Sequence, residues 1–225
     1  MPPREDPEDS LFRLFKPHPW HGIAVGEGAP GEVAAYIEIV PTDTVKYEID
    51  KASGHLRVDR PQRFSNVCPT LYGFVPRTYC GPRVAELCRR RVGREVRGDG
   101  DPLDLCVLSE RAFTHGDVLV TAVPVGGLRM IDRGEADDKV LAVLAGDAVF
   151  GEVRDVGQLP PSQVERLKHY FLTYKQPPGE PSHAVEIAEV YGRETAHEVI
   201  LAALADYDEQ FPDLEARLRR VLAGG

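Results

Sequence analysis

The stretch Arg97-Gly98-Asp99-Gly100-Asp101-Pro102-Leu103-Asp104 sets three carboxylates within six residues and then runs straight into the apolar segment LDLCVL. Like charges at that spacing repel, and the repulsion falls only when cations sit among them or water solvates each one. Gly100 permits a tight backbone and Pro102 stiffens the exit, a rigidity that a merely solvated acidic loop would not need. A calcium loop does not fit. Counted from Asp99, Glu110 falls at the twelfth place, but the sixth is Asp104 where that loop requires glycine.

A second acidic set, Asp132, Asp137 and Asp138, is followed at once by Lys139 and the apolar run VLAVL. Asp137 and Lys139 project together if the chain is extended, because side chains two apart share a face. Glu38 and Glu48 lie in early strand-like segments, so several carboxylates could meet in one cavity. An all-oxygen donor set with no Cys or His pairing favours Mg²⁺ over zinc. His18 and His21 flank Trp20 and invite a metal reading too, but a packed anchor is the preferred one.

These residues need elements to position them. VAAYIEIV (33–40) reads as a first strand, and VKYEID (45–50) and HLRVDR (55–60) alternate polar and apolar about a Gly-bearing turn at 51–54 that predicts a hairpin. Lys46, Glu48 and Asp50 then share one face, and Val45, Tyr47 and Ile49 the other. Further strands are expected at 103–109, 117–125 and 139–144. Residues 77–98 form an insert with six arginines from Arg83 to Arg97 and a short helix over 84–92, bracketed by Pro82 and Gly93. It is read either as a solvated surface excursion or as a basic flap near an anionic substrate or partner. Helices come late. One is opened by Pro161 with a Ser162/Glu165 capping box and carries Val164, Leu167, Phe171 and Tyr174 at helical spacing. A second spans Glu194 to Tyr207 with Val199, Ile200, Ala203 and Leu204 inward, and a third carries Leu214, Leu218 and Leu222. Strands first and helices last predict an α+β domain on a β-barrel or strongly curved sheet.

The chain of 225 residues, 42% apolar and 28% charged, suffices for one sizeable core. Its net charge of −9 argues against coating nucleic acid. That sign does not exclude a small polyanion, since local cations can invert the field at one site. Cys68, Cys80, Cys88 and Cys106 lack CxxC spacing and read as reduced thiols. The N-terminus has no apolar leader-like segment and no stretch is long enough to span a bilayer, so a cytoplasmic location is expected.

DGDPLD, preceded by YIEI, VKYEID, VDR and YGFVP and followed by PVGGLRMID, ADDK and HYFLTYK, resembles the soluble family I inorganic pyrophosphatases in that family's order. The matching blocks run from about 33 to 175. The resemblance implies a compact closed β-barrel (OB-like) with two to three C-terminal helices packed outside. It implies hydrolysis of pyrophosphate to two phosphates with several Mg²⁺ ions, in a homo-oligomer. Carried over residue by residue, Asp99, Asp104 and Asp137 correspond to the main metal ligands, and Asp132 and Glu38 serve further ions. Asp101 matches the carboxylate that helps deprotonate the attacking water. Lys46, Arg60, Tyr72, Lys139, Tyr174 and Lys175 match groups that hold the phosphates, with Glu48 in the same cavity.

Taken singly, several of these have plainer readings. Glu48 with Lys46 makes a hairpin salt bridge, Arg60 a strand-end charge, Tyr72 and Tyr174 core aromatics, and Lys175 a helix C-terminal cation. Ordered co-occurrence carries the resemblance. The expected organisation is an arm at 1–30, a catalytic domain at 31–208 with the insert at about 77–98, and a helical tail at 209–225. Cys68 stands where the family pattern usually has a second Tyr before the Pro. Two other functions remain open at this stage: a related protein of lost or redirected activity that binds or regulates, and a phosphohydrolase acting on longer polyphosphates or nucleotides.

Overall fold

The computed structural model describes residues 16–63, 65–175, 185–212 and 220. In chain order the strands are β1 (Val33–Ile39), β2 (Val45–Ile49), β3 (Leu56–Pro61), β4 (Leu71–Phe74), β5 (Arg97–Gly98), β6 (Asp104–Leu108), β7 (Val118–Asp132), β8 (Glu135–Ala136), β9 (Lys139–Leu144) and β10 (Val185–Gly192). The helices are α1 (Pro82–Val92), α2 (Pro161–Thr173) and α3 (Arg193–Gln210). The third C-terminal helix expected from the sequence lies outside the described residues.

Hydrogen bonding runs β1-β4-β6-β9-β7 and returns, because β7 also pairs with β1. Five strands therefore close on themselves, the closed barrel expected from the sequence. β7 continues past 125 to Asp132, longer than the expected strand. That extra length pairs with β10, β8 and β9, and its Gly126-Gly127 step passes where a Cβ would strike Tyr191. Period-two alternation then sorts the side chains. On β9, Val140 and Ala142 join one apolar cluster, while Leu141 and Val143 join another. The first cluster is covered by Val199, Ile200 and Ala203 of α3, the second by Leu167 and Phe171 of α2. Fully burying each such side chain contributes about 1.5–3 kcal/mol.

The hairpin is present as a separate two-stranded sheet, β2-β3. α1 forms close to its expected bounds, with Gly93 ending it in the left-handed region at φ 69°. The Ser162/Glu165 capping box does not form. Pro160 takes the cap position and Pro161 the first helical one, so Ser162 already lies inside the first turn. A capping box does exist just upstream, where Asp155 and Gln158 close a 3₁₀ turn and Asp155 also accepts the Arg193 N–H at 3.0 Å.

The arm's Trp20 is an anchor. It is 4% exposed, and its indole N–H donates to the Thr78 carbonyl at 2.7 Å. His21 stacks on Trp20 and shares a 2.8 Å hydrogen bond with the Tyr207 hydroxyl at the end of α3. Burial, with His18 beside it, pulls the His21 imidazole down from 6.5 to about 4. The folded chain thus prefers the neutral ring while the unfolded chain takes up a proton below its own higher pKa. This contribution to stability is intact above 6.5 and is lost as pH falls towards about 4. We expect the urea midpoint of the wild type to fall more steeply across that window than that of His21→Gln. Parallel slopes would show that the ring does not titrate with folding.

Candidate active site

β6 and β9 are parallel neighbours, and their register places Asp104 opposite Lys139. Asp104 shares parity with Cys106 and Leu108, and Lys139 with Leu141 and Val143, so both point to the face covered by α2. Tyr72 on β4 joins them from the next strand and donates its hydroxyl to Asp104 Oδ2 at 2.6 Å. The Lys139 ammonium, on a side chain only 3% exposed, donates to both Asp104 Oδ2 and Asp137 Oδ1. Burial works against its charge, yet the two carboxylates hold it well above the ordinary lysine value. Asp104 in turn drives the buried Tyr72 phenol further up than burial alone.

Asp99 and Asp101 part company in the loop before β6. Gly100 adopts φ 75°, a left-handed conformation that turns the chain between them. Asp99 turns inward, where its carboxylate accepts the Asp101 N–H at 2.9 Å. Burial, then the charge of Asp137, pushes Asp99 up to about 8. Asp101 turns outward; it is half-exposed and paired with Lys51 from the hairpin turn. Asp137 is also raised by burial, with Lys139 pulling against it. Glu38, 6% exposed at a bulge in β1, accepts the Ile49 N–H at 2.7 Å. Burial, with Asp104 and Glu48 adding to it, raises Glu38 to about 8.

The hairpin supplies one rim. Lys46 pairs with Glu48 at 2.7 Å and with Asp59 at 3.0 Å, and Arg60 pairs with Asp59 at 2.5 Å. α2 supplies the other: buried Tyr174 has the Arg60 guanidinium 5.8 Å from its ring centre and the Lys175 ammonium 5.1 Å away. Lys175 pairs with Asp132 at 2.6 Å. The predicted residues are thus linked into one continuous polar patch, with Asp101 at its edge. The plain readings hold as well, since Lys46–Glu48 is a hairpin ion pair and Tyr174 packs in the α2 cluster. Among the described residues no three carboxylates converge on one point, because lysines stand between them.

Two residues of the patch escape the sequence reading. Asp59 is the extra residue of a bulge, since Lys46 opposes Arg60 but Tyr47 opposes Val58. A two-residue period cannot place it. Lys51 opens the KASG turn, where composition signals a turn and not a contact. The basic-flap reading of the insert is corrected. Arg83, Arg89, Arg90, Arg91, Arg94 and Arg97 pair with carboxylates of the insert itself, α3, β10 and β8, and not with the patch. Cys68 is buried and its thiol is pushed up to about 11, so the position offers no ionised group.

Glu38 and Asp99, both near 8, carry protons at about pH 7 in the cation-free protein. A divalent cation binding here must displace them. Calorimetric titration with Mg²⁺ in buffers of differing ionisation enthalpy should therefore show net proton release at about pH 7, fading to near zero by about pH 9. Release that is absent at neutral pH would place cation binding elsewhere.

The family model described as "Inorganic pyrophosphatase" matches residues 35–208. The inorganic pyrophosphatase of Chlamydia caviae is 48% identical over 200 residues, covering 86% of this chain and 92% of that protein. Among solved structures, the Thermus thermophilus inorganic pyrophosphatase aligns with a TM-score of 0.69 at 31% identity, covering 83% of this chain and 97% of that one. The Helicobacter pylori inorganic pyrophosphatase gives 0.67 at 33% identity, with 83% and 98% covered.

Proposed function

The chain belongs to the inorganic pyrophosphatase family and is an inorganic diphosphatase, and on that premise we propose that Mg²⁺ is its metal and that the patch around Lys139 is where pyrophosphate is cleaved. The observation that carries this reading is a single one. Half-buried Asp104 and Asp137 share the buried Lys139, while Asp99 and Glu38 nearby are raised by burial and like charge. Such a set is short of positive charge, and its hard oxygen donors suit Mg²⁺.

Asp99, Asp104 and Asp137 would hold the metal, with Asp132 and Glu38 serving further ions. When bound, Mg²⁺ supplies charge neutralisation on the polyanion and a lowered pKa for water at neutral pH. The chain's own residues do the rest. Lys46, Arg60, Lys139 and Lys175 offer cations to the phosphate oxygens, and the hydroxyls of Tyr72 and Tyr174 offer hydrogen bonds. Glu48 keeps Lys46 aimed into the same cavity. Lys139 becomes available to a phosphate oxygen once the charge of Asp104 and Asp137 is neutralised otherwise. Asp101 takes the proton of the attacking water. Its exposed pair with Lys51 is worth little, so the carboxylate is released at small cost.

The proposal extends to a homo-oligomeric, cytoplasmic protein that binds pyrophosphate and not nucleic acid or membrane. The net charge of −9 supports the exclusion of nucleic acid. Among the described residues no helix is long and apolar enough to cross a membrane.

Phosphate release from pyrophosphate, tripolyphosphate and ATP should be measured side by side, with Mg²⁺ and then with a chelator. We expect turnover of pyrophosphate, abolished by the chelator. No release from pyrophosphate between about pH 6 and 9 sinks the reading, and a clear preference for ATP or tripolyphosphate redirects it. Asp101→Asn should lower kcat by at least about 100-fold with the fold intact, as for a lost general base. Full activity in that variant would remove Asp101 from the role.

A further inference from the structure

Between β4 and α1 the chain runs through residues 75–81, and this segment is bonded along its length to the loop that carries Asp99 and Asp101. The Val75 N–H donates to the Leu103 carbonyl at 3.0 Å, and the Leu103 N–H donates to Thr78 Oγ1 at 2.9 Å. Further along, the Cys80 N–H donates to the Asp101 carbonyl at 2.8 Å, and the Gly100 N–H donates to the Cys80 carbonyl at 3.1 Å. Gly98 completes the approach, because a Cβ there would lie 2.1 Å from the Cys80 carbonyl oxygen. The loop backbone is therefore laid along 75–81.

That segment is held from its far side by α3. The Tyr79 N–H donates to the Ala203 carbonyl at 2.9 Å. One turn on, the Asp206 side chain is fully buried, and its carboxylate accepts the backbone N–H groups of Gly81 at 3.1 Å, Arg83 at 3.0 Å and Val84 at 3.2 Å. It also accepts the Arg83 guanidinium at 3.0 Å. α1 begins after Gly81 and has no side-chain cap of its own, so a carboxylate from another helix serves instead. A Cβ on Gly81 would stand 3.0 Å from that carboxylate, which leaves no slack at the junction.

We infer that Asp206 is a positioning residue for pyrophosphate hydrolysis: it touches neither metal ligand nor base, and sets where Asp99 and Asp101 stand by fixing residues 79–81, on which their loop is laid. The inference rests on the function proposed above. The rival is a cap that only stabilises α1. The two differ in what moves when the cap is weakened, because a small displacement of a catalytic loop costs turnover far more than stability.

Asp206→Asn should be compared with Val143→Ala, a buried β9 core position whose truncation lowers stability and whose apolar cluster includes none of residues 79–81. Five quantities are read: thermal midpoint, amide exchange at Gly100 in the metal-free protein, kcat, KM for pyrophosphate, and the Mg²⁺ concentration for half-maximal rate. In Asp206→Asn we expect Gly100 exchange at least about tenfold faster than in the control, kcat lower by about 10- to 100-fold, a higher Mg²⁺ requirement, and KM within about threefold. The inference is overturned if Gly100 exchange or kcat in Asp206→Asn matches the control. Should Asp206→Asn not fold, Gly81→Ala presses on the same carboxylate from the segment's side, and unchanged exchange or kcat there overturns it equally. Wild-type protein inert toward pyrophosphate defeats the proposed function instead. The exchange measurement, made without metal or substrate, keeps the two failures apart.

Discussion

The ammonium of Lys139, buried between Asp104 and Asp137, is the contact on which the rest of the structure turns. Taking a charge out of water costs several kcal/mol unless partners replace the solvent closely. Here the replacement comes from two partners: Asp137 in the turn just before β9, and Asp104 on β6, distant in chain order. Only a ring in which β6 and β9 are parallel neighbours in the Asp104–Lys139 register brings them together. A one-residue slip would turn both side chains to the opposite face, into the cluster beneath α3. Barrel closure and site formation are in this sense one requirement.

The same burial sets stability against function. Glu38 and Asp99 have folded pKa values near 8, far above their solution values, so the fold favours their protonated forms. Their contribution is present below the unfolded pKa and is lost as pH rises through about 8, so each must give up a proton before it can serve as a charged donor at neutral pH. Buried carboxylates that oppose folding are hard to explain as structural elements and easy to explain as donors awaiting positive charge. Asp101 differs in kind. Half-exposed and paired with Lys51 of the hairpin turn, it stands apart from the buried set.

Much of this was legible in the sequence, and the boundary of what was legible has physical causes. Strand alternation and the positions of α1 and α2 follow from local period, and the meeting of Asp104 and Asp137 on Lys139 from like charges that need a cation between them. Asp59 and Lys51 were not legible because one sits on a bulge and the other in a turn, both places where period breaks. The Ser162 capping box failed because two consecutive prolines shift the helix start, a competition that a motif does not weigh. The arginines misled in another way. Six arginines in one insert suggest a flap, but Arg89 and Arg90 pair with Glu86 of their own helix, and Arg83, Arg91, Arg94 and Arg97 pair with carboxylates on neighbouring elements that are long-range in sequence.

Those pairings also explain how an insert can enter beside the catalytic loop without disordering it. Its two ends lie against each other, since Gly98 packs on the Cys80 carbonyl. With the ends pinned, the length between them adds little closure entropy. The ordering of its own residues is offset locally: Cys88 and Val96 bury against Ile131 and Ala136, with Val92 alongside, a small core separate from the barrel's. β5 at the insert's exit pairs in parallel with β8, so the chain is already aligned when it reaches Asp99. The insert therefore meets the barrel as a preformed wedge, and its basic surface is spent on the carboxylates of α3, β8 and β10. Each of the six arginines has a carboxylate partner away from Lys139, so the insert adds little unpaired positive charge beside the loop it enters.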